Sequence, residues 1–339
     1  MITKKLIPAG VNWVNTGFAI AFDISCVTPT GRIIATKPSS SDKHIVSGYS
    51  DDNGMTWTWN NSTGSTGNMT VSALCVTSTG RIIAAINKKL HYSDDNGVTW
   101  GLLVADTSVG IKALCVTSTG RILAGKKNAV ISYSDDNGAT WVNTQSQSLN
   151  CCALCVTSTG RILAACAAKR IYYSDDNGIT WTETQSLSIT WSALCVISTG
   201  RIVAASSSSG SFYYSDNDGI TWTEASDYVK KDWKKVCTTP TGGLIAITGI
   251  SSDICYSTDN GVTWTVVTKI GDSNVPDIIW YDICVVSTGR VFISGQYGTY
   301  IYSDSSVKPE STNAPITGKQ AKELVQQCKA YVQSLKNGN

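Results

Sequence analysis

Residues 174–181 read Ser174-Asp175-Asp176-Asn177-Gly178-Ile179-Thr180-Trp181, and they close a unit that opens with Ala153-Leu154-Cys155-Val156 and turns at Ser158-Thr159-Gly160. Between turn and loop lie two more apolar runs, Arg161-Ile162-Leu163-Ala164-Ala165 and Arg170-Ile171-Tyr172-Tyr173. Short apolar runs bounded by turn residues read as strands. In the loop, Asp and Asn can bond their own backbone and Gly supplies a positive φ, so the chain reverses there. Ile179-Thr180-Trp181-Thr182 then returns as a fourth, outer strand.

The unit recurs along the chain. Its turn glycines are Gly31, Gly80, Gly120, Gly160, Gly200, Gly242 and Gly289, about 40 to 49 residues apart, the period of a propeller blade of four short strands. Blades are expected at roughly 18–60, 70–103, 110–144, 150–184, 190–225 and 232–267. A seventh starts at Trp280 and reaches Tyr302-Ser303-Asp304 without an outer strand after it. Gly10-Val11-Asn12-Trp13-Val14-Asn15-Thr16 parallels Gly138-Ala139-Thr140-Trp141-Val142-Asn143-Thr144, so the N-terminal segment is expected to supply that strand, with Trp13 in the outer-strand position. Closure of this kind leaves no unpaired edge.

The expected fold is therefore all-β, a seven-bladed β-propeller of four-stranded antiparallel blades over residues 9–304. Residues 305–317 read as a linker and 318–337 as a short amphipathic helix. Thr317 and Gln320 have capping-box spacing, and Ala321, Leu324, Val325, Cys328, Tyr331, Val332 and Leu335 form an apolar stripe at helical period. Such a helix either packs on its own propeller or serves a partner or self-association.

A net charge of +2 with 15% charged residues argues against a nucleic-acid binder that neutralises many phosphates. No run of 18 apolar residues is present, so no membrane span is expected. The first residues carry charge but no apolar core, so no signal peptide is read. Of 12 cysteines, Cys26, Cys75, Cys115, Cys155, Cys195, Cys237 and Cys284 each precede a turn glycine by five residues. Equivalent positions on neighbouring sheets lie about 10 Å apart, beyond the roughly 7 Å a disulfide spans. They read as small buried hydrophobes in a cytoplasmic or virion-associated protein.

The loops Ser50 to Trp57, Ser93 to Trp100, Ser134 to Trp141, Ser174 to Trp181 and Ser257 to Trp264 resemble Asp-box (BNR) repeats of sialidase-like propellers, with Asp52, Asp95, Asp136, Asp176 and Asp259 at the motif aspartate. Ser215 to Trp222 departs by carrying Asn217. The resemblance implies that these aspartates, with Trp57, Trp100, Trp141, Trp181, Trp222 and Trp264, are structural and lie away from any catalytic face. Sialidase activity would further imply three arginines gripping a carboxylate. Arg32, Arg81, Arg121, Arg161, Arg201 and Arg290 all follow a turn glycine at the Asp-box end, which leaves Arg170 alone for the other face. A non-catalytic member is therefore expected.

Other glycosidase chemistry needs two carboxylates about 5 to 9.5 Å apart. Glu183 and Glu224 sit at the rim, Glu310 and Glu323 in the tail, and Asp227, Asp232, Asp272, Asp277 and Asp282 remain free. His44 and His91 have no ligand cluster around them, and the Asp-rich loops lack the final Glu of a calcium loop, so no metal or cofactor is expected.

Function should reside where the copies disagree. Nine residues before each turn glycine the chain reads Phe22, Val71, Ile111, Cys151, Trp191, Trp233 and Trp280, and two residues later the last two copies place Lys235 and Asp282 among alanines and isoleucine. Trp191, Trp233, Trp280, Lys235 and Asp282 are expected either to fill the core or to line a channel mouth opposite the Asp-boxes. On that face Lys88, Lys126 and Arg170 make a basic arc. The expected function is a non-enzymatic propeller that binds a glycan or protein receptor there, a habit of lectin-like and virion surface proteins. An intracellular assembly scaffold, similar to the Asp-box propellers that help build photosystem II, is the alternative, and a glycoside hydrolase the third.

Overall fold

The computed structural model describes residues 12–15, 22, 24–37, 45–54, 56–62, 71–104, 107–145, 148–167, 170–226, 230–239, 242–267, 269–270, 273–275, 277–286, 290–296 and 300–304. The expected linker at 305–317 and helix at 318–337 lie outside them.

Six four-stranded antiparallel sheets are each built from strands consecutive in the chain, which are the blades of a β-propeller. Blade one holds Ile24–Val27, Ile33–Lys37, Ile45–Ser50 and Thr58–Ser62; blade two, Val71–Val76, Ile82–Ile86, Lys89–Ser93 and Gly101–Val104; blade three, Ile111–Val116, Ile122–Lys126, Ser132–Ser134 and Val142–Asn143. Blade four holds Cys151–Val156, Ile162–Cys166, Ile171–Ser174 and Thr182–Glu183; blade five, Trp191–Val196, Ile202–Ser206, Phe212–Ser215 and Thr223–Glu224; blade six, Trp233–Thr238, Leu244–Thr248, Ile254–Ser257 and Thr265–Val266. One further four-stranded sheet is composite: Trp280–Val285, Val291–Gly295 and Tyr300–Asp304 are completed by Asn12–Asn15 from the other end of the chain, with Trp13 opposite Ser303. This closing sheet meets blade one directly, since Ser294 Oγ donates to the Phe22 carbonyl at 2.7 Å and an Arg290 guanidinium nitrogen to the Asn53 carbonyl at 3.2 Å.

The core lies between blades. The second strand of each sheet is sandwiched by its neighbours, so Ile82–Ile86, Ile162–Cys166 and Ile202–Ser206 are buried throughout and read as continuous small and apolar runs without alternation. Leu163, Ala165 and Ile171 of blade four pack on Trp191, Ile202 and Tyr213 of blade five. Burying each large aliphatic chain here contributes about 1.5–3 kcal/mol.

The Asp-box glycine sets the spacing between blades. Gly178 has φ of 87°, and a Cβ there would fall 2.7 Å from Leu123 of blade three, so both backbone conformation and close approach demand glycine. A second device repeats beside it. Arg121 donates through Nε and Nη2 to the two carboxylate oxygens of Asp135 at 2.7 and 2.8 Å, lies 4.0 Å from the Tyr133 ring centre, and reaches the Asn177 carbonyl of blade four at 3.0 Å. Arg81 and Arg201 repeat the fork and the reach to the next blade, on Asp94 with Asn137 and on Asp216 with Asn260. The arginines at the Asp-box end are mortar between blades. Among the described residues no helix is long and apolar enough to cross a membrane.

Candidate functional site

Every inner strand starts on the face opposite the Asp-box loops, beside the propeller axis. In blades two to six and the closing sheet that start contains a β-bulge: Trp191 pairs with Ser206 and Ala193 with Ala205, so Ser192 is an extra residue, and the same shift falls after Val71, Ile111, Cys151, Trp233 and Trp280. A bulge re-aims the side chains around it.

The tryptophans do not line the mouth. Trp191, Trp233 and Trp280 are each 0% exposed, and their indole N–H groups donate to the carbonyls of Leu187 at 3.1 Å, Gly210 at 2.8 Å and Ser252 at 2.8 Å. Trp233 packs on Phe212, which stacks on the Asp-box Trp264 at 3.7 Å between ring centres. They are core: the bulge turns Trp191 toward Leu163 and Ile171 of blade four, while Ala193 packs toward Trp233 of blade six, so of the two readings core filling holds and the aromatic pocket is corrected. Lys235 and Asp282 are brought together, but onto each other. Lys235 Nζ bonds Asp282 Oδ1, while Oδ2 accepts the backbone N–H and the hydroxyl of Ser25, both at 2.7 Å. With Asp282 at 1% exposure, this is an internal clasp over three sheets.

The residues left at the mouth are the bulge residues themselves. Ser72 and Lys112 are exposed, and Cys152, Ser192, Lys234 and Tyr281 are half-buried. Lys234 Nζ lies 5.4 Å from the Tyr281 ring centre and 3.4 Å from the Trp280 carbonyl. Nearby, burial pushes the Asp232 carboxyl above its ordinary range against the opposing pull of Lys234. Lys231 pairs with Asp253 at 2.9 Å. The arrangement is a patch of unlike charges around one tyrosine, suited to hydrogen bonding and ion pairing with an incoming polar segment.

Of the basic arc, Lys88 is exposed and sits at φ of 64°, and Lys126 is half-buried with its ammonium held below the usual range by burial. Arg170 is tethered, 3.8 Å from Glu183 and bonded to the Ser186 carbonyl, so it offers less than a free guanidinium. Lys112, Lys234 and Tyr281 were missed in sequence. Their signal was available: a polar or variable residue at one fixed place in an otherwise apolar strand.

The Asp-box carboxylates are fully engaged by their own loops. Asp136 accepts from the Ser134 hydroxyl and the Thr140 N–H at 2.8 Å and from the Thr140 hydroxyl at 2.6 Å. The Thr140 hydroxyl and N–H, with Ser134, pull its pKa down to about 2. Asp52, Asp95, Asp176 and Asp259 repeat the pattern. Trp100 donates to the Ser47 hydroxyl at 2.9 Å, and Trp141, Trp181 and Trp222 to the loop carbonyls of Gly138, Gly178 and Gly219 at 2.8–3.0 Å. Burial pushes the inner-strand thiols of Cys26, Cys75, Cys115, Cys155, Cys195, Cys237 and Cys284 above their ordinary range, which keeps them protonated. Among the described residues no group of three or more His, Cys, Asp or Glu is placed to hold a metal ion.

The BNR/Asp-box repeat family matches at residues 172–183 and 213–224, which are the third strands, loops and outer strands of blades four and five. No curated protein matches the sequence. Among solved structures, a catalytically inactive virginiamycin B lyase from Staphylococcus aureus with quinupristin superposes with a TM-score of 0.70 at 12% identity, covering 86% of this chain and 98% of that one. YCF48 bound to D1 peptide gives 0.69 at 15% identity over 90% and 99%, and the WD40 β-propeller domain of Doa1 gives 0.65 at 13% over 87% and 97%. At these identities the likeness is one of fold, shared by enzymes and binding proteins alike. With the loop geometry and the family match in agreement, the chain is a β-propeller built on BNR/Asp-box repeats.

Proposed function

We propose that this propeller is a non-enzymatic binding module that receives a polar peptide segment of a partner protein at the mouth opposite the Asp-boxes, on Asp232, Lys234, Tyr281 and Lys112. The observation that carries the reading is the bulge position. Ser72, Lys112, Cys152, Ser192, Lys234 and Tyr281 occupy equivalent places yet alternate among serine, lysine, cysteine and tyrosine, while three residues further along the strand every one of these copies keeps cysteine, Cys75, Cys115, Cys155, Cys195, Cys237 and Cys284. Variation at one exposed position of a repeated frame is what selection for a particular partner leaves behind. The arginines and carboxylates of the other end are already paired within the frame, which removes the usual sources of acid–base chemistry there. A peptide is favoured over a glycan because the tryptophans that would have stacked on sugar rings are sealed in the core. A propeller of the same fold, YCF48, is seen with a bound peptide, which supports the reading by analogy.

The test is a pair of arrays, one of mixed-charge decapeptides and one of glycans, probed with the full chain and with the Lys234→Glu/Tyr281→Ala variant. Peptide signals that vanish in the variant and persist in Asp136→Asn, a change at the far end, support the proposal. Glycan signals alone, or peptide signals indifferent to the mouth variant, overturn it.

A further inference from the structure

Blade four differs from the other bulged sheets in one corner. Cys151 and Cys166 are direct cross-strand partners, at the place where the other sheets pair Val71 with Ile86, Ile111 with Lys126, Trp191 with Ser206, Trp233 with Thr248 and Trp280 with Gly295. The pattern of backbone hydrogen bonds fixes what kind of pair this is. Just outside it, the Ala167 N–H donates to the Asn150 carbonyl at 2.8 Å. Just inside it, the bulge sets Cys152 and Ala153 against Ala165. Cys151 and Cys166 thus occupy the non-hydrogen-bonded site, where Cα atoms approach to about 4.5 Å and side chains lie closest. That separation falls within the roughly 4.4–6.8 Å that a disulfide spans.

Both thiols are free and 0% exposed; Cys151 Sγ donates to the Ala153 carbonyl at 3.5 Å and Cys166 Sγ to the Ala164 carbonyl at 3.8 Å. The adjoining blade is cut back at this point. Gly125 stands where blades two, four and five carry Ala85, Ala165 and Ala205, and a Cβ on it would come within 2.6 Å of Cys151 Sγ. The other inner-strand cysteines have no such facing thiol: Cys155 pairs with Leu163 and Cys195 with Val203.

We infer that Cys151 and Cys166 are a modification site, a dithiol that closes to a cross-strand disulfide by exchange with a small disulfide oxidant such as oxidised glutathione. The first protein thiolate attacks the oxidant and expels one glutathione thiolate. The second attacks the protein sulfur of that mixed disulfide and expels the other glutathione, forming the Cys151–Cys166 bond. The two protons lost by the protein thiols end on the two glutathiones, and one disulfide has been reduced for one formed. Because both sulfurs are sealed, exchange awaits opening of the strand end marked by the 150–167 hydrogen bond. It is therefore slow in the native state and fast during refolding.

The experiment incubates the full reduced chain with oxidised glutathione, both native and during refolding from urea, caps remaining thiols with N-ethylmaleimide, and maps peptides by tandem mass spectrometry. The expected product links Cys166 to Cys151, is lighter than the reduced pair by two hydrogens, disappears in Cys166→Ser, and survives in Cys152→Ser. Its melting temperature rises by several degrees and returns on reduction. A link from Cys166 to Cys152 or Cys155, or fully capped Cys151 and Cys166 after oxidative refolding, overturns the assignment.

Discussion

Lys235 of blade six reaches Asp282 of the closing sheet, and Asp282 in turn holds the backbone N–H of Ser25 in blade one at 2.7 Å, so one buried carboxylate ties three sheets where the ring closes. Elsewhere in the ring the equivalent places hold Ala73, Ala113, Ala153 and Ala193, and apolar packing suffices. Only Asp282 is buried, and Lys235 remains one-third exposed; removing the lysine leaves the carboxylate's charge uncompensated, at a cost toward the lower end of the range of about 3–5 kcal/mol for a fully buried pair. Lys235→Met is therefore expected to destabilise by about 3 kcal/mol. Adding Asp282→Asn should recover part of that loss, because the orphaned charge goes with it. Urea midpoints over the double-mutant cycle check this, and simple additivity of the two losses would contradict the clasp.

Asn12–Asn15 forms the outer edge of the closing sheet by pairing with Tyr300–Asp304. Deleting residues 1–16 uncovers that edge as a row of free backbone donors and acceptors, a template for pairing with other chains. The truncated protein is expected to aggregate in a concentration-dependent manner and to melt lower. Light scattering and a melting curve decide, with a monomer of unchanged melting temperature as the contrary result.

The fold was legible because turn glycine, loop and tryptophan recur in register, and each has a local cause: positive φ, side-chain to backbone bonds, or close approach between blades. The candidate site was less legible. Comparing the copies at the start of the inner strand led to Trp191, Trp233 and Trp280, but the bulge after each one turns it into the packing between blades, and no residue type announces a bulge. Lys235 and Asp282 looked like ligand-binding charges because sequence shows two lone charges and not that adjacent strands bring them together. The basic arc suffers from the same blindness, since Arg170 finds Glu183 within its own blade.

The arginine fork left a trace that can now be read. Blades one to five carry Arg32, Arg81, Arg121, Arg161 and Arg201 with Asp51, Asp94, Asp135, Asp175 and Asp216, and blade six lacks both partners, with Gly243 and Thr258 in their places. Installing Gly243→Arg with Thr258→Asp should transplant the fork and lower the entropy of the unfolded chain. The expected gain is about 0.5–1 kcal/mol, the scale of one exposed pair and one favourable glycine replacement. Either change alone should gain less than both together. A double variant less stable than the parent in urea would mean that the Gly243 site, where a Cβ would stand 3.1 Å from the Thr239 hydroxyl, cannot yield.

Acid sensitivity should map onto the Asp-boxes. Asp136 is held down to about 2 by the Thr140 hydroxyl and N–H and by Ser134. Asp95, Asp176 and Asp259 are also lowered, because hydrogen bonds outweigh the upward push of burial. A carboxyl whose folded pKa lies below its unfolded value of about 3.9 contributes stability that is fully present above pH 4 and is lost as pH falls through the folded value. Blade five provides the template for a non-titrating box: Asn217 Oδ1 accepts from the Ser215 hydroxyl and the Thr221 N–H at 2.9 Å, and its Nδ2 donates to the Thr221 hydroxyl at 2.7 Å, reversing the last bond. Asp136→Asn is therefore expected to fold normally and to lie within about 1 kcal/mol of the parent at pH 7, the scale of a single hydrogen bond. The gap should close between pH 4 and pH 2, because only the parent loses its ionised acceptor there. Urea denaturation at a series of pH values measures it, and a gap that stays constant or widens toward pH 2 would show that Asp136 contributes nothing through its charge.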